Sequence, residues 1–425
     1  MASRRFARAA VLSFASLLFS QVAAADRAQL PVPAKVAITP PVAPVTPATN
    51  TPLAPSGVAE ARDYISDAKL FYRLVACSGS AALPADIDAA TIEKHCVEMQ
   101  KRFTRIAEKY ATPARAFFAD KKPANMPTTV VYPFGGGDLL SALVTYPEAR
   151  EITTMSLEHA GDPTRLAKLN GKKLKAELSV YRAAIEGLLG LHDSTTDNMQ
   201  KMERGGIPGQ LSFHLTGMAA MGFEPVSLKF FSFEEDGRIH YLSAGEIEAL
   251  APKIAKKKKG IATNTDFSEA FSNMEVTFRK AGDAAAPLIV HRHISANLAD
   301  NAFAKSPLLK HLNSKGNIAA ITKAASFLLW YDSFSTIRNY LLTNLVWMAS
   351  DATGIPARIA RKAGLVQTTY GSFTGAFLED AQGTNEETTM VEMWAKQPRR
   401  KLPFRYGYPD VAKTHHLLIT ERPRK

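Results

Sequence analysis

The chain has 425 residues, 46% of them hydrophobic and 22% charged, with a formal net charge of +12. That composition is globular, too long for one ordinary domain, and excludes a mostly disordered or fibrous protein. No run of about 18 consecutive apolar residues occurs, so no membrane-spanning helix is expected once the leader is removed.

Residues 1–25 read as a signal peptide. Arg4, Arg5 and Arg8 form a positive region, 9–22 is an apolar stretch too short to span, and Ala23, Ala24 and Ala25 suit cleavage before Asp26. The mature protein is expected in the periplasm or outside the cell. Phe6 follows the arginine pair directly, which favours the general export route over the twin-arginine one. Residues 26–58 hold eight prolines, and proline fixes φ and removes an amide donor, so this is an extended linker. Cys77 and Cys96, the only cysteines, stand 19 positions apart. In an oxidising compartment they are expected to pair, and closing such a loop stabilises by about 3 kcal/mol.

Residues 59–127 read as a helical segment. Leu70, Phe71, Leu74 and Val75 mark one helix over 64–75; Ile92, Cys96, Met99, Phe103 and Ile106 mark another over 89–110. The rest, 128–425, reads as an α/β core with helical insertions. It opens with a β-branched strand that runs into Gly135, Gly136, Gly137 and Asp138; a helix over 139–146 and a second strand over 151–157 follow. Strand, glycine turn, helix and strand in that order form a βαβ unit of a parallel sheet. Helices are expected over 172–191 and 209–221. A hairpin over 225–242 turns at Asp236-Gly237, and 274–279 pairs with 288–294. Lys256 to Lys259 reads as a solvated loop. Residues 318–350 read as helix, broken near Asp332 or Ser333, with Phe334, Ile337, Leu341 and Leu345 on one stripe. Late strands are expected over 365–370, 402–408 and 416–420.

The richest local signal is Tyr132 and the glycine turn to Asp138, followed by Glu158. A glycine turn after a strand admits a ligand to the backbone, and the following helix N-terminus favours negative charge. An acid at the end of the second strand can accept ribose hydroxyls, and Glu158 lies 22 residues after Gly136. The alternative is a tight turn in which Asp138 caps the next helix. In that case Asp138→Asn costs about 1 kcal/mol. Asp351 and Thr353, in the loop before Gly354 and Pro356, could line the same mouth or simply stop one helix and start the next.

These elements resemble the start of the class I S-adenosylmethionine-dependent methyltransferase fold, and the pair 402–408 and 416–420 resembles its terminal antiparallel strands. The chain also resembles an uncharacterised family of exported bacterial proteins. That likeness rests on Tyr132 to Asp138, Leu157 to Gly161, Lys323 to Ser326, Asp351 to Pro356 and Pro403 to Tyr408. The methyltransferase resemblance implies a Rossmann/methyltransferase-like mixed sheet with a parallel βαβ start, antiparallel hairpins and helical additions. The turn lacks the Gly-x-Gly-x-Gly of the methyltransferases, so no cofactor is assigned.

Other chemistry is weaker. Alternation puts Ile289, His291 and His293 on one strand face. Two such histidines can share zinc, with His415 or His416 as a third ligand, but no acid stands nearby in sequence. An exposed polar face is the reading adopted, with no metal. Gly371 to Gly375 has its serine in the wrong place for a nucleophile elbow. The stretch 398–425 carries eight Lys/Arg against two acids. It is read as a solvated hairpin and tail, although Phe404, Tyr406 and Tyr408 interleave with its charges. Export argues against a nucleic-acid partner. The expectation is therefore an exported protein that binds a small molecule or an envelope partner. The alternative is a transferase-type enzyme acting at Asp138 and Glu158.

Overall fold

The computed structural model describes residues 60–190, 207–250, 268–375, 385–407 and 415–423. The signal peptide, the linker, the lysine run 256–259 and Tyr408 lie outside them. Three helices open the described chain: α1 (Ile65–Leu74), α2 (Ala89–Ile106) and α3 (Thr112–Lys121). Asp88 caps α2 by accepting the amides of Ala90 and Thr91. The sulfurs of Cys77 and Cys96 lie 2.13 Å apart, so the pair is at disulfide distance, pinning the end of α1 to α2.

The core follows as β1 (Thr129–Tyr132), α4 (Leu139–Thr145), β2 (Glu151–Ser156), α5 (Gly171–Gly190), α6 (Gly209–Ala220), β3 (Phe223–Phe233), β4 (Ile239–Tyr241), α7 (Ala244–Ala249), β5 (Asn273–Lys280) and β6 (Ile289–Ser295). It ends with α8 (Asp300–Phe303), α9 (Pro307–Asn313), β7 (Ile318–Thr322), α10 (Ser335–Asn344), β8 (Leu345–Ser350), α11 (Ala357–Lys362), β9 (Val366–Gly371), α12 (Asn385–Lys396) and β10 (His416–Glu421).

One ten-stranded sheet runs β4-β3-β5-β6-β2-β1-β7-β8-β10-β9. Strands β6, β2, β1, β7 and β8 are parallel. On one side lie the antiparallel β3, β4 and β5, and on the other β10 runs antiparallel to both β8 and β9. This is a Rossmann-like α/β fold with a mixed sheet. The chain leaves β1 toward β2 on one side and later adds β7 on the other, so the order reverses between β1 and β7.

Alternation divides the core between two faces. Val130, Ile152, Ile321 and Trp347 pack with the helices from α1 to α6, whereas Val131, Met155, Ala320 and Met348 pack with α8, α9 and α10. The hairpin at Gly237 (φ 90°) joins β3 and β4.

Two expectations about secondary structure fail. Residues 318–350 are not a broken helix but two parallel strands joined by short 3-10 turns and α10. Strand β7 is buried on both faces, so its apolar run lacks the alternation that marks a strand. Of the expected strand 402–408, the described residues 402–407 are irregular, and β10 pairs with β9 and β8 instead. Pro403 has no amide for a ladder. Phe404 and Tyr406 turn inward onto Phe118, with ring centroids 5.6 and 6.2 Å away. These two aromatics are buried, so they present no rings to a nucleobase.

Candidate functional site

Open parallel sheets form crevices outside the carboxyl ends of their strands, at the point where strand order reverses. Here that point lies between the loops that follow β1 and β7. Asp138 leaves the glycine turn after β1 and caps α4, accepting the Ser141 amide at 3.2 Å. Its other oxygen accepts the Tyr132 hydroxyl at 3.0 Å and the Lys323 ammonium at 2.9 Å. Lys323 is the first residue after β7. It also donates to the Ser141 hydroxyl, and it lies 5.1 Å from the Tyr406 ring centre and 5.7 Å from that of Tyr110.

Electrostatics fix the protonation of this cluster. Burial pulls the Lys323 pKa down, but Asp138, helped by Tyr110 and Asp351, outweighs it and leaves the ammonium more basic than usual. Burial, and then the Asp138 charge, holds the Tyr132 phenol well above its ordinary value, so it remains a donor. The Tyr406 hydroxyl is buried beside the pair without a hydrogen-bond partner.

Asp351 follows β8 and ties its loop to the one after β7. One oxygen accepts the Ala324 amide at 2.8 Å; the other accepts the amide of Thr353 at 3.0 Å and its hydroxyl. Ser326 joins Thr353 through their hydroxyls, and the Trp330 indole donates to the Gly354 carbonyl at 3.0 Å. Ala324 has φ 45° and Phe134, in the turn after β1, has φ 59°. Both are left-handed, a conformation costly for any residue with a β-carbon.

The glycines answer to the protein's own packing. A β-carbon on Gly135 would lie 2.6 Å from the Tyr132 ring, and one on Gly137 would lie 2.7 Å from Phe213 and 3.0 Å from Gln210 of α6. Gly136 has φ 49°, the left-handed turn. Glu158, two residues past β2, is half-buried and accepts from Gln210 at 3.4 Å. The structure thus joins Tyr132, Asp138, Asp351 and Thr353 through Lys323 and Ala324. It reaches Glu158 by a separate route, through α6.

His291 and His293 do not form an exposed face. Both are buried, because His214 of α6 lies against them with ring centroids 4.4 and 5.2 Å away. Thr154 sits between the two strand histidines, 3.0 Å from His291 and 3.2 Å from His293, and His293 Nε2 bonds the Glu158 carbonyl at 2.8 Å. His416 lies on β10, five strands from β6, against Phe373 and Trp394. At about 4.8 Å per strand it is far out of reach of the other histidines. Among the described residues no group of three or more His, Cys, Asp or Glu is arranged to hold a metal.

Sequence reasoning missed Lys323, Tyr110, Gln210 and His214 as site residues. A lone lysine directly after the apolar run 318–322 is the signal that could have found the first. Comparison of the chain with protein-family models, with curated proteins and with solved structures finds no match.

Proposed function

We propose that the chain is an exported protein that binds a small ligand, or an envelope partner, at the crevice between the loops after β1, β7 and β8. The observation that carries this reading is the strain at Phe134 and Ala324. Three non-glycine residues among those described have positive φ, and these two follow β1 and β7, the strands that flank the reversal of order. Such conformations cost about 1–3 kcal/mol each, persist where the surroundings impose them, and cluster at active sites, ligand clamps and switch regions. The Lys323–Asp138 pair ties the loop after β7 to the turn after β1. Export rests on the arginine-led leader, and a cysteine pair at disulfide distance fits an oxidising compartment. No helix among the described residues is long and apolar enough to cross a membrane.

One observation favours a second reading, a transferase-type enzyme on a methyltransferase-like core. Glu158 stands at the carboxyl end of β2 beside the glycine turn, where a ribose-binding acid stands in dinucleotide folds. A thermal-shift screen of the mature protein against S-adenosyl compounds, nucleotides and divalent metals separates the two. Stabilisation by S-adenosyl compounds that is lost in Glu158→Gln would favour the transferase. Stabilisation by another compound, weakened in Ala324→Gly but not in Glu158→Gln, would favour the binding protein. No response to any compound, together with no envelope partner cross-linked to the crevice, would sink both.

A further inference from the structure

His214 has no hydrogen-bond partner on either ring nitrogen and no exposure to water. Burying two unpaired polar atoms is unfavourable, and an apolar side chain of similar size would pack there without that penalty. Packing alone therefore does not account for the imidazole. His291 and His293 lie against it at centroid distances of 4.4 and 5.2 Å. Thr154 and Glu158 fix where the hydrogens of these two rings sit. The Glu158 carbonyl can only accept, so His293 Nε2 carries the hydrogen, and Nδ1 of the neutral ring is a lone pair. The Thr154 hydroxyl donates to that lone pair, and its oxygen accepts from Nε2 of His291. Nδ1 of His291 is then a buried lone pair without a partner. Each hydrogen bond of this chain is directed for neutral rings. A proton added to His293 would meet the Thr154 hydrogen, and one added to His291 or His214 would find no acceptor.

The cluster cannot meet water unless the core opens. Helix α6 is buried from Gly209 to Met218, packs on α1, α4 and β3, and is tied to α5 through the Tyr181 hydroxyl. His291 and His293 stand on β6, inside the sheet. We propose that His214, His291 and His293 are an acid trigger for the whole fold: they stay neutral while it is intact, and their protonation opens the sheet and its helices together. The proposal is independent of the crevice reading. On His214, among the described residues, only the other two imidazoles act; Arg292 of β6 acts on His291, and Glu158 after β2 acts on His293 and, with His293, on His159. Burial, chiefly, lowers the proton affinity of all three rings, and holds His214 and His291 well below the ordinary histidine value. An imidazole of the unfolded chain binds a proton near pH 6.5. The folded state is therefore fully favoured above about pH 6.5 and loses its advantage as the pH falls below it. Each proton refused by the folded chain multiplies the unfolding constant about tenfold per pH unit in that range.

Urea unfolding of the full mature protein across a pH series tests this. Below about pH 6.5 the unfolding constant of the wild type should rise more steeply than that of His214→Phe, or of His214→Leu should the larger ring not fit, by about tenfold per pH unit. Between pH 8 and 5 the variant should thus gain about 30-fold on the wild type, whatever its stability at pH 8. In the wild type the His214 ring resonances should hold their neutral positions until the protein unfolds. Hydrogen exchange, corrected for its intrinsic pH dependence, should show α6 and β7 losing protection at the same pH. An equal pH slope in the wild type and both variants would overturn the proposal. So would a His214 that titrates near pH 6.5 in the intact fold, or exposure of α6 ahead of β7.

Discussion

Lys323 keeps its charge where an ammonium is costly to bury, and Asp138 is what makes that tolerable. Breaking a buried ion pair by removing one partner leaves an uncompensated charge and costs about 3–5 kcal/mol. Asp138→Asn should therefore destabilise the protein by about that much in urea denaturation, well beyond the roughly 1 kcal/mol of a lost helix cap. The double variant Asp138→Asn/Lys323→Met should recover most of the loss, and a strictly additive cycle would show that the pair does not act as one unit. Ala324→Gly relieves a left-handed residue and should stabilise by about 1 kcal/mol. The capping role of Asp138 was legible, because its partner Ser141 is three residues away. Lys323 was not, because its partner lies 185 residues off and nothing local links the two.

Elements with a local signature were read correctly. The hairpin of β3 and β4 was legible in Asp236-Gly237, and the opening βαβ unit in its glycine turn. Strands β7 and β8 were misread, since burial on both faces removes the period that separates strand from helix. Three of the four residues in the stripe read as one helix face, Phe334, Ile337 and Leu341, do belong to or adjoin α10; Leu345 already begins β8. The glycine turn was recognised, but what lies on it was not, because α6 arrives from 70 residues downstream. Gly137→Ala would bring a methyl group to 2.7 Å from Phe213. Overpacking of this kind typically costs about 1–3 kcal/mol. The loss should appear as a lower melting temperature and faster hydrogen exchange in α6. An unchanged melting temperature would mean that Phe213 yields freely.

At the scale of the whole molecule, acid is the condition to vary. His95, His159 and His311 each have a pKa of about 4, chiefly because burial disfavours the imidazolium. Between about pH 6.5 and 4 the unfolded chain takes up protons that the folded one refuses. The melting temperature should therefore be level above about pH 6.5 and fall steadily toward pH 4; a level profile down to pH 4 would contradict these shifts. Peptide mapping without reductant should recover Cys77 joined to Cys96, and reduction should cost about 3 kcal/mol. Mature protein should begin near Asp26 and fractionate outside the cytoplasm. An uncut N-terminus on cytosolic protein would remove the export argument. The α/β class was legible because helix and strand signals alternate along the chain. The order of the ten strands was not, since it depends on pairings between distant segments.

Strand β10 stands between β8 and β9, and among the described strands β9 bonds to β10 alone. A chain emerging N-terminus first thus presents both flanking strands well before the one that joins them. Until residues 416–421 arrive, β9 has no place to dock and β8 shows an open edge, the kind of surface that recruits other chains. Completion of this side of the molecule therefore waits for β10. The same order makes β10 a point of failure. A chain shortened by residues 416–425 should be degraded or aggregate, with its earliest protease cuts at 366–371 rather than in the parallel strands.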